Sequence, residues 1–143
     1  MSSFRIFDIA GSGMAAQSVR LNTVASNLAN ADSVAGSAAA VYKARHPLFE
    51  AVQQVRAGVQ AGEVGGGAAV RVRGIMESEA APIARYEPGN PLANEEGYVF
   101  APSVNVVEEM VDMISASRSY QNNVEVMDTA KTMMMATLRL GQS

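Results

Sequence analysis

Two long helix-period apolar stripes, one at each end of the chain, leave few folds open to it. Near the N-terminus the stripe is Phe7, Ala10, Met14, Gln17, Leu21, Val24, Leu28 and Ala31. Near the C-terminus it is Val106, Met110, Met113, Ser117, Tyr120, Val124, Met127, Lys131, Met134 and Leu138. Alternating steps of three and four put one side chain per turn on a single helix face. The expected fold is mainly α with a small β element. Long N- and C-terminal helices pair as a coiled-coil-like core, and a short β-hairpin or small sheet and a Gly/Ala-rich loop lie between them. Adhesive faces at both termini suggest a subunit that assembles.

Four segments are expected: an N-terminal helix in 1–32, an extended Gly/Ala-rich connector in 33–69, a small β element in 70–101 and a long helix in 102–143. The first helix is expected from about Phe4 to Asn30. Gly11 and Gly13 lie inside it, and each costs roughly 1 kcal/mol against Ala, so packing must stabilise it. Asn27 and Asn30 suit a left-handed helix end. Val41 to Arg45 alternates like a short strand, and His46-Pro47 is expected to break it. Phe49 to Val55 suggests a short helix, and Ala57 to Ala69 a flexible loop. Val70 to Arg73, Ile83 to Glu87 and Tyr98 to Phe100 read as strands, separated by turns at Pro88-Gly89-Asn90-Pro91 and Asn94 to Gly97.

After Pro102, Ser103 or Asn105 is placed to cap the long helix, with Glu108 three residues beyond Asn105. Glu108, Glu109 and Asp112 suit the first turns and Arg139 the last, with Gly141 at the stop. An uninterrupted helix from Ser103 to Leu140 would be roughly 55 Å long. That is more than a compact small domain covers.

The composition argues for assembly. Aromatic residues make up 6%, Trp is absent, and Gly and Met number 12 and 9. Much of the apolar content is Ala, which buries little area. A second apolar row on the C-terminal helix, Val107, Val111, Ile114, Val126, Met133 and Ala136, exceeds what one partner helix can cover. Six methionines on that helix suit irregular contacts, although they also fill ordinary cores. Gln17, Ser117 and Lys131 interrupt the stripes and either set register or reach to solvent.

Other function classes have little to stand on. A net charge of −3 argues against a nucleic-acid partner. No Cys is present, which excludes disulfides and thiolate chemistry. No cofactor or metal is expected, and no catalytic residues. His46 is the only His. Gly11-Ser12-Gly13 lacks the spacing and preceding strand of a phosphate loop. Glu95-Glu96 and Glu108-Glu109 read as solvated acids, with no apolar pocket to tune them. No stretch reaches the roughly twenty apolar residues of a membrane span, and no apolar core of a cleavable signal is seen near the start.

Ser26-Asn27-Leu28-Ala29-Asn30 falls at the end of the first helix, and Glu96-Gly97-Tyr98-Val99-Phe100-Ala101-Pro102 leads into the second. With Ala116-Ser117-Arg118-Ser119-Tyr120-Gln121-Asn122-Asn123, these motifs resemble the rod and hook proteins of the bacterial flagellum, and among them the proximal-rod subunits. The chain departs at Pro88-Gly89-Asn90-Pro91-Leu92-Ala93, at Pro102-Ser103 and in the Ala-rich run to Ala40, which touches loops and caps only. The resemblance implies a non-enzymatic axial subunit in the periplasmic part of the basal body, exported by the type III apparatus without a cleavable signal. Its implied partners are other proximal and distal rod proteins, the adaptor between the rod base and the MS ring, and further copies of itself. The interface is expected at Phe7, Met14, Leu21, Val24, Asn27, Leu28 and Asn30, and at Val106, Met110, Met113, Tyr120, Val124, Met127, Met134 and Leu138. Another axial or type III needle-like subunit is the nearest alternative. A cytoplasmic coiled-coil export chaperone is the alternative of a different class.

Overall fold

The computed structural model describes residues 3–53 and 68–141. Helix α1 spans Ser3–Asn30 and helix α2 spans Val106–Leu140. Between them lie strands β1 (Arg45–Gln53), β2 (Ala68–Glu77), β3 (Ile83–Tyr86) and β4 (Tyr98–Ala101). They form two separate two-stranded antiparallel sheets, β1–β2 and β3–β4. The chain is mainly helical with a small β component.

α2 begins where its cap allows. The Asn105 side-chain oxygen accepts from the backbone N–H groups of Val107 and Glu108, so it takes two of the first-turn donors that the helix leaves without a partner. Glu108 and Glu109 follow in the first turn and Arg139 sits in the last, as the helix dipole favours. Thirty-five residues give a helix of about 52 Å. Gly141 closes it in a right-handed conformation, not the left-handed one that glycine stops usually supply. Among the described residues no non-glycine has positive φ, so Asn27 and Asn30 do not turn the chain at the end of α1. Asn27 lies wholly buried inside the helix instead.

Strand β1 replaces two expectations, the break at His46-Pro47 and a short helix from Phe49. Each strand of a two-stranded sheet is an edge, and there a proline's missing N–H costs little. Pro47 stands opposite Ile75, and an extra residue on β2, Arg73, bulges between the pairs Leu48–Gly74 and Phe49–Val72. Ala68 and Ala69, expected in the loop, already belong to β2. The rest of that expected loop, Ala57 to Gly67, lies outside the described residues. Cross-strand ion pairs Arg71–Glu50 and Arg45–Glu77 line this sheet. Both are exposed and contribute little.

In the second sheet Tyr86 and Tyr98 stand directly opposite each other, with ring centroids 5.2 Å apart in an edge-on arrangement. Ala35 pairs with the free edge of β4 through two backbone bonds to Phe100, which ties the segment after α1 to this sheet. Gly97 makes the turn into β4 with φ +82. A Cβ there would lie 2.9 Å from Tyr86 Cε2. Gly97→Ala therefore combines backbone strain with a clash and is expected to cost about 1–3 kcal/mol. A lowered unfolding midpoint of the purified chain checks it.

Candidate assembly surface and the helix seam

α1 and α2 pack antiparallel. Asn27 meets Glu109, Arg20 meets Asp112, and Gly13 faces Asn123. Carrying the same register to the first turn of α1 places Ser3 opposite Met133. The end of α2, from Met134 to Leu140, therefore runs past Ser3.

The inward face of α2 is not the expected stripe. Its buried residues are Glu109, Ala116 and Ala130, with Asn123 half-buried between them. These four recur every seven residues, along the side of α2 that faces α1. Gly13 shows how close: a Cβ on it would lie 3.0 Å from Asn123 Nδ2. Met113, Met127 and Met134 flank this row and are half-buried. Val106, Met110, Tyr120, Val124 and Leu138, the other apolar members of the expected stripe, are exposed. The packing face is thus turned by about one residue from the apolar stripe. Small residues let the helices approach, and a search for large apolar side chains does not register them.

On α1 the expected stripe does face inward. Val24 is buried, and Phe7, Met14, Leu21 and Leu28 are half-buried. α1 is covered on two sides. The Ser12 hydroxyl donates to the carbonyl of Ile9 and accepts from the Val70 N–H, which holds the start of β2 on the helix. Asn30, half-buried, donates to the Ser26 carbonyl within its own helix.

The core that results contains little besides alanine. Among the described residues the buried apolar ones are Ala10, Ala16, Ala31, Ala44, Ala101, Ala116 and Ala130, with only Val24, Val41 and Val99 larger. Large apolar side chains lie outside. Val107 is 70% exposed, Val111 61%, Met133 66% and Leu140 76%. On α2 they gather toward the two ends, Val106 to Ile114 and Met133 to Leu140, with a more polar stretch between.

Sequence reasoning missed the part played by Asn27. Its Nδ2 donates to the Arg45 carbonyl and to Glu109 Oε1, each at 2.9 Å. Its Oδ1 accepts from the Arg45 N–H and the Tyr42 hydroxyl, each also at 2.9 Å. All four hydrogen-bonding positions of the amide are filled. The surrounding motif was visible in the sequence, but nothing there showed that this asparagine points inward.

The chemistry available is limited. An open cleft of about 580 Å³ at the head of α2 is lined by His46, Asn105, Glu108, Glu109 and Asp112 among others. Among the described residues no three His, Asp or Glu side chains are arranged to hold a metal. None of the described helices is long and apolar enough to cross a membrane.

Two family models match the chain. One is described as flagella basal body rod protein and covers residues 7–36; the other, flagellar basal body rod FlgEFG protein C-terminal, covers residues 95–140. The flagellar basal-body rod protein FlgC of Salmonella typhimurium is 54% identical over 142 residues, which is 99% of this chain and 100% of the relative. The chain belongs to the FlgC family of flagellar basal-body rod proteins. The FlgC protein of Yersinia enterocolitica is 51% identical over the same span, and that of Aquifex aeolicus 42% identical over 96% of each chain. The matched segments coincide with the helices. One covers most of α1 and the short segment after it; the other runs from the turn before β4 to the last residue of α2. A FlgC-family chain is a structural component of the rod, and the two helices carry its family signature.

Proposed function

We propose that this chain polymerises into the proximal rod of the flagellar basal body through the faces of α1 and α2 that its own fold leaves uncovered. The observation that carries this reading is the inversion of its apolar residues: alanine fills the intramolecular core, while valine, methionine and leucine line the outside of α2. A full burial of one such side chain contributes roughly 1.5–3 kcal/mol, so several together drive association. Val106, Met110, Tyr120, Val124 and Leu138 are the proposed contact residues on α2. Phe7, Met14, Leu21, Val24, Leu28, Met113, Met127 and Met134 serve mainly the pairing of the two helices. Asn27 and Asn30 act within the fold, beside the seam.

The proposed partners are further copies of this chain, neighbouring proximal and distal rod proteins and the adaptor to the MS ring. The proposed route is the type III apparatus, and the destination the periplasmic rod, where the subunits together form the drive shaft and export channel. Coupled folding and polymerisation is the proposed mechanism, with neighbours completing a core too small to hold both helices firmly. No catalytic step is assigned. An epitope-tagged copy is expected in the rod of basal bodies isolated from motile cells. Recovery only from the soluble cytoplasmic fraction would favour the export-chaperone reading.

A further inference from the structure

We infer that Asn27 is the positioning residue through which helix pairing sets the placement of the β1–β2 sheet. Three of the four bonds of its amide go to the segment 42–45, and the fourth goes to α2. Arg45 is the first residue of β1, and Asn27 holds both its N–H and its carbonyl, as a neighbouring strand would. Tyr42 is held beside it, 3.2 Å from Ser26 Oγ, with the Arg45 guanidinium 5.7 Å from the ring centroid. The point at which the chain leaves the helices for the sheet is therefore fixed by one side chain.

Glu109 favours the same orientation of that side chain as the Arg45 backbone. A carboxylate oxygen only accepts, so the amide must turn Nδ2 toward α2. That leaves Oδ1 toward the Arg45 N–H and the Tyr42 hydroxyl. With the amide reversed, its oxygen would face Glu109 Oε1 and the Arg45 carbonyl, and its N–H groups would face the Arg45 N–H. Three of the four contacts would become like against like. Glu109 is 7% exposed and Asn27 0%, so water does not relieve such a mismatch. Among the described residues Glu109 Oε2 is buried without a hydrogen-bond partner, so the Asn27 bond is the one that side chain makes there. When α2 pairs with α1, Glu109 holds the amide in the orientation that the Arg45 backbone requires. Sheet placement is thereby coupled to helix pairing. The swimming readout below rests on the rod reading.

The test is Asn27→Asp, alone and together with Glu109→Gln, in the full chain expressed in a strain lacking the native copy. Asn27→Asp removes both donors and sets a second carboxylate against Glu109. Ring expansion in soft agar is expected to slow by about tenfold or more, because a buried polar network is broken. In the double variant the new amide at position 109 donates to the new carboxylate at position 27, whose other oxygen still accepts from Arg45 and Tyr42. Swimming is expected to recover only in part, because the new carboxylate still sets an oxygen against the Arg45 carbonyl. Hydrogen exchange of segment 42–48 in isolated basal bodies should rise in the double variant by far less than in any assembled Asn27→Asp rods. Parental swimming with Asn27→Asp, or a double variant no better than the single one, would overturn the assignment. Normal swimming of the strain with no copy at all would instead sink the rod reading.

Discussion

Gly13→Leu is expected to separate α1 from α2, whereas Gly13→Ala is expected to be nearly silent. At this position a Cβ would lie 3.0 Å from Asn123 Nδ2, 3.1 Å from Oδ1 and 3.2 Å from Cγ. The tip of Asn123 has room to yield a few tenths of an ångström, since it is only half-buried and its Nδ2 bonds back to the Ser119 carbonyl in its own helix. A single methyl is thus accommodated at modest cost. Alanine also regains roughly 1 kcal/mol of helix propensity, so the two effects nearly cancel. Leucine adds three more carbons that no shift of one side chain can admit. Forcing them into the seam costs about 1–3 kcal/mol in an ordinary core. The effect should reach the upper end here, because the seam is closed to solvent at Ala16 and Ala116, which are 3% and 0% exposed. Denaturant midpoints of the two purified variants, compared with the parent, test the contrast. Equal stability of the leucine variant would mean that the helices do not approach at Gly13. Neighbouring Gly11 has nothing within 4 Å of its hypothetical Cβ, so a methyl group there meets no clash.

That contrast also shows which parts of the fold the sequence made legible. Periodicity identified both helices, and the Asn105 cap and the alternation of Val70 to Arg73 marked their elements, because each depends on residues close in the chain. The expected strands at Ile83 and Tyr98 are likewise set by their turns. The helix seam was not legible. It depends on small and polar residues, Gly13, Ala116, Asn123 and Ala130, whose value lies in the closeness they permit across the chain. Strand β1 was hidden for a similar reason. Its partner is β2, beyond residues 54–67, and local signals at His46-Pro47 argued against it. Asn27 was singled out with Asn30 as a helix terminator and an interface residue. Both readings follow from its type and position, and neither anticipates that Glu109, 82 residues away, completes its hydrogen bonds.

The inversion of the apolar residues gives the other large effect. Val107→Asp combined with Val111→Asp is expected to abolish swimming and rod incorporation while leaving the isolated fold intact. Val107 and Val111 lie one turn apart near the start of α2, and both face away from α1. Within a single chain they contribute little, so their loss should change stability by no more than about 0.5 kcal/mol. Aspartate in the first turns of a helix is also favoured by the dipole, which offsets part of any cost. In an assembled rod the balance reverses. Two valines no longer contribute roughly 1.5–3 kcal/mol each at the contact, and two charges must be desolvated or exposed by a gap. In the proposed polymer a contact that repeats from subunit to subunit would let a defect tolerable in one pair accumulate along the structure. The readouts are the unfolding midpoint of the purified chain, its export, and its presence in isolated basal bodies. Stable, exported protein that fails to enter the rod is the expected result. A swimming strain would show that this face of α2 looks onto solvent in the assembly as well, and would leave the contact to Val106, Met110, Tyr120, Val124 and Leu138.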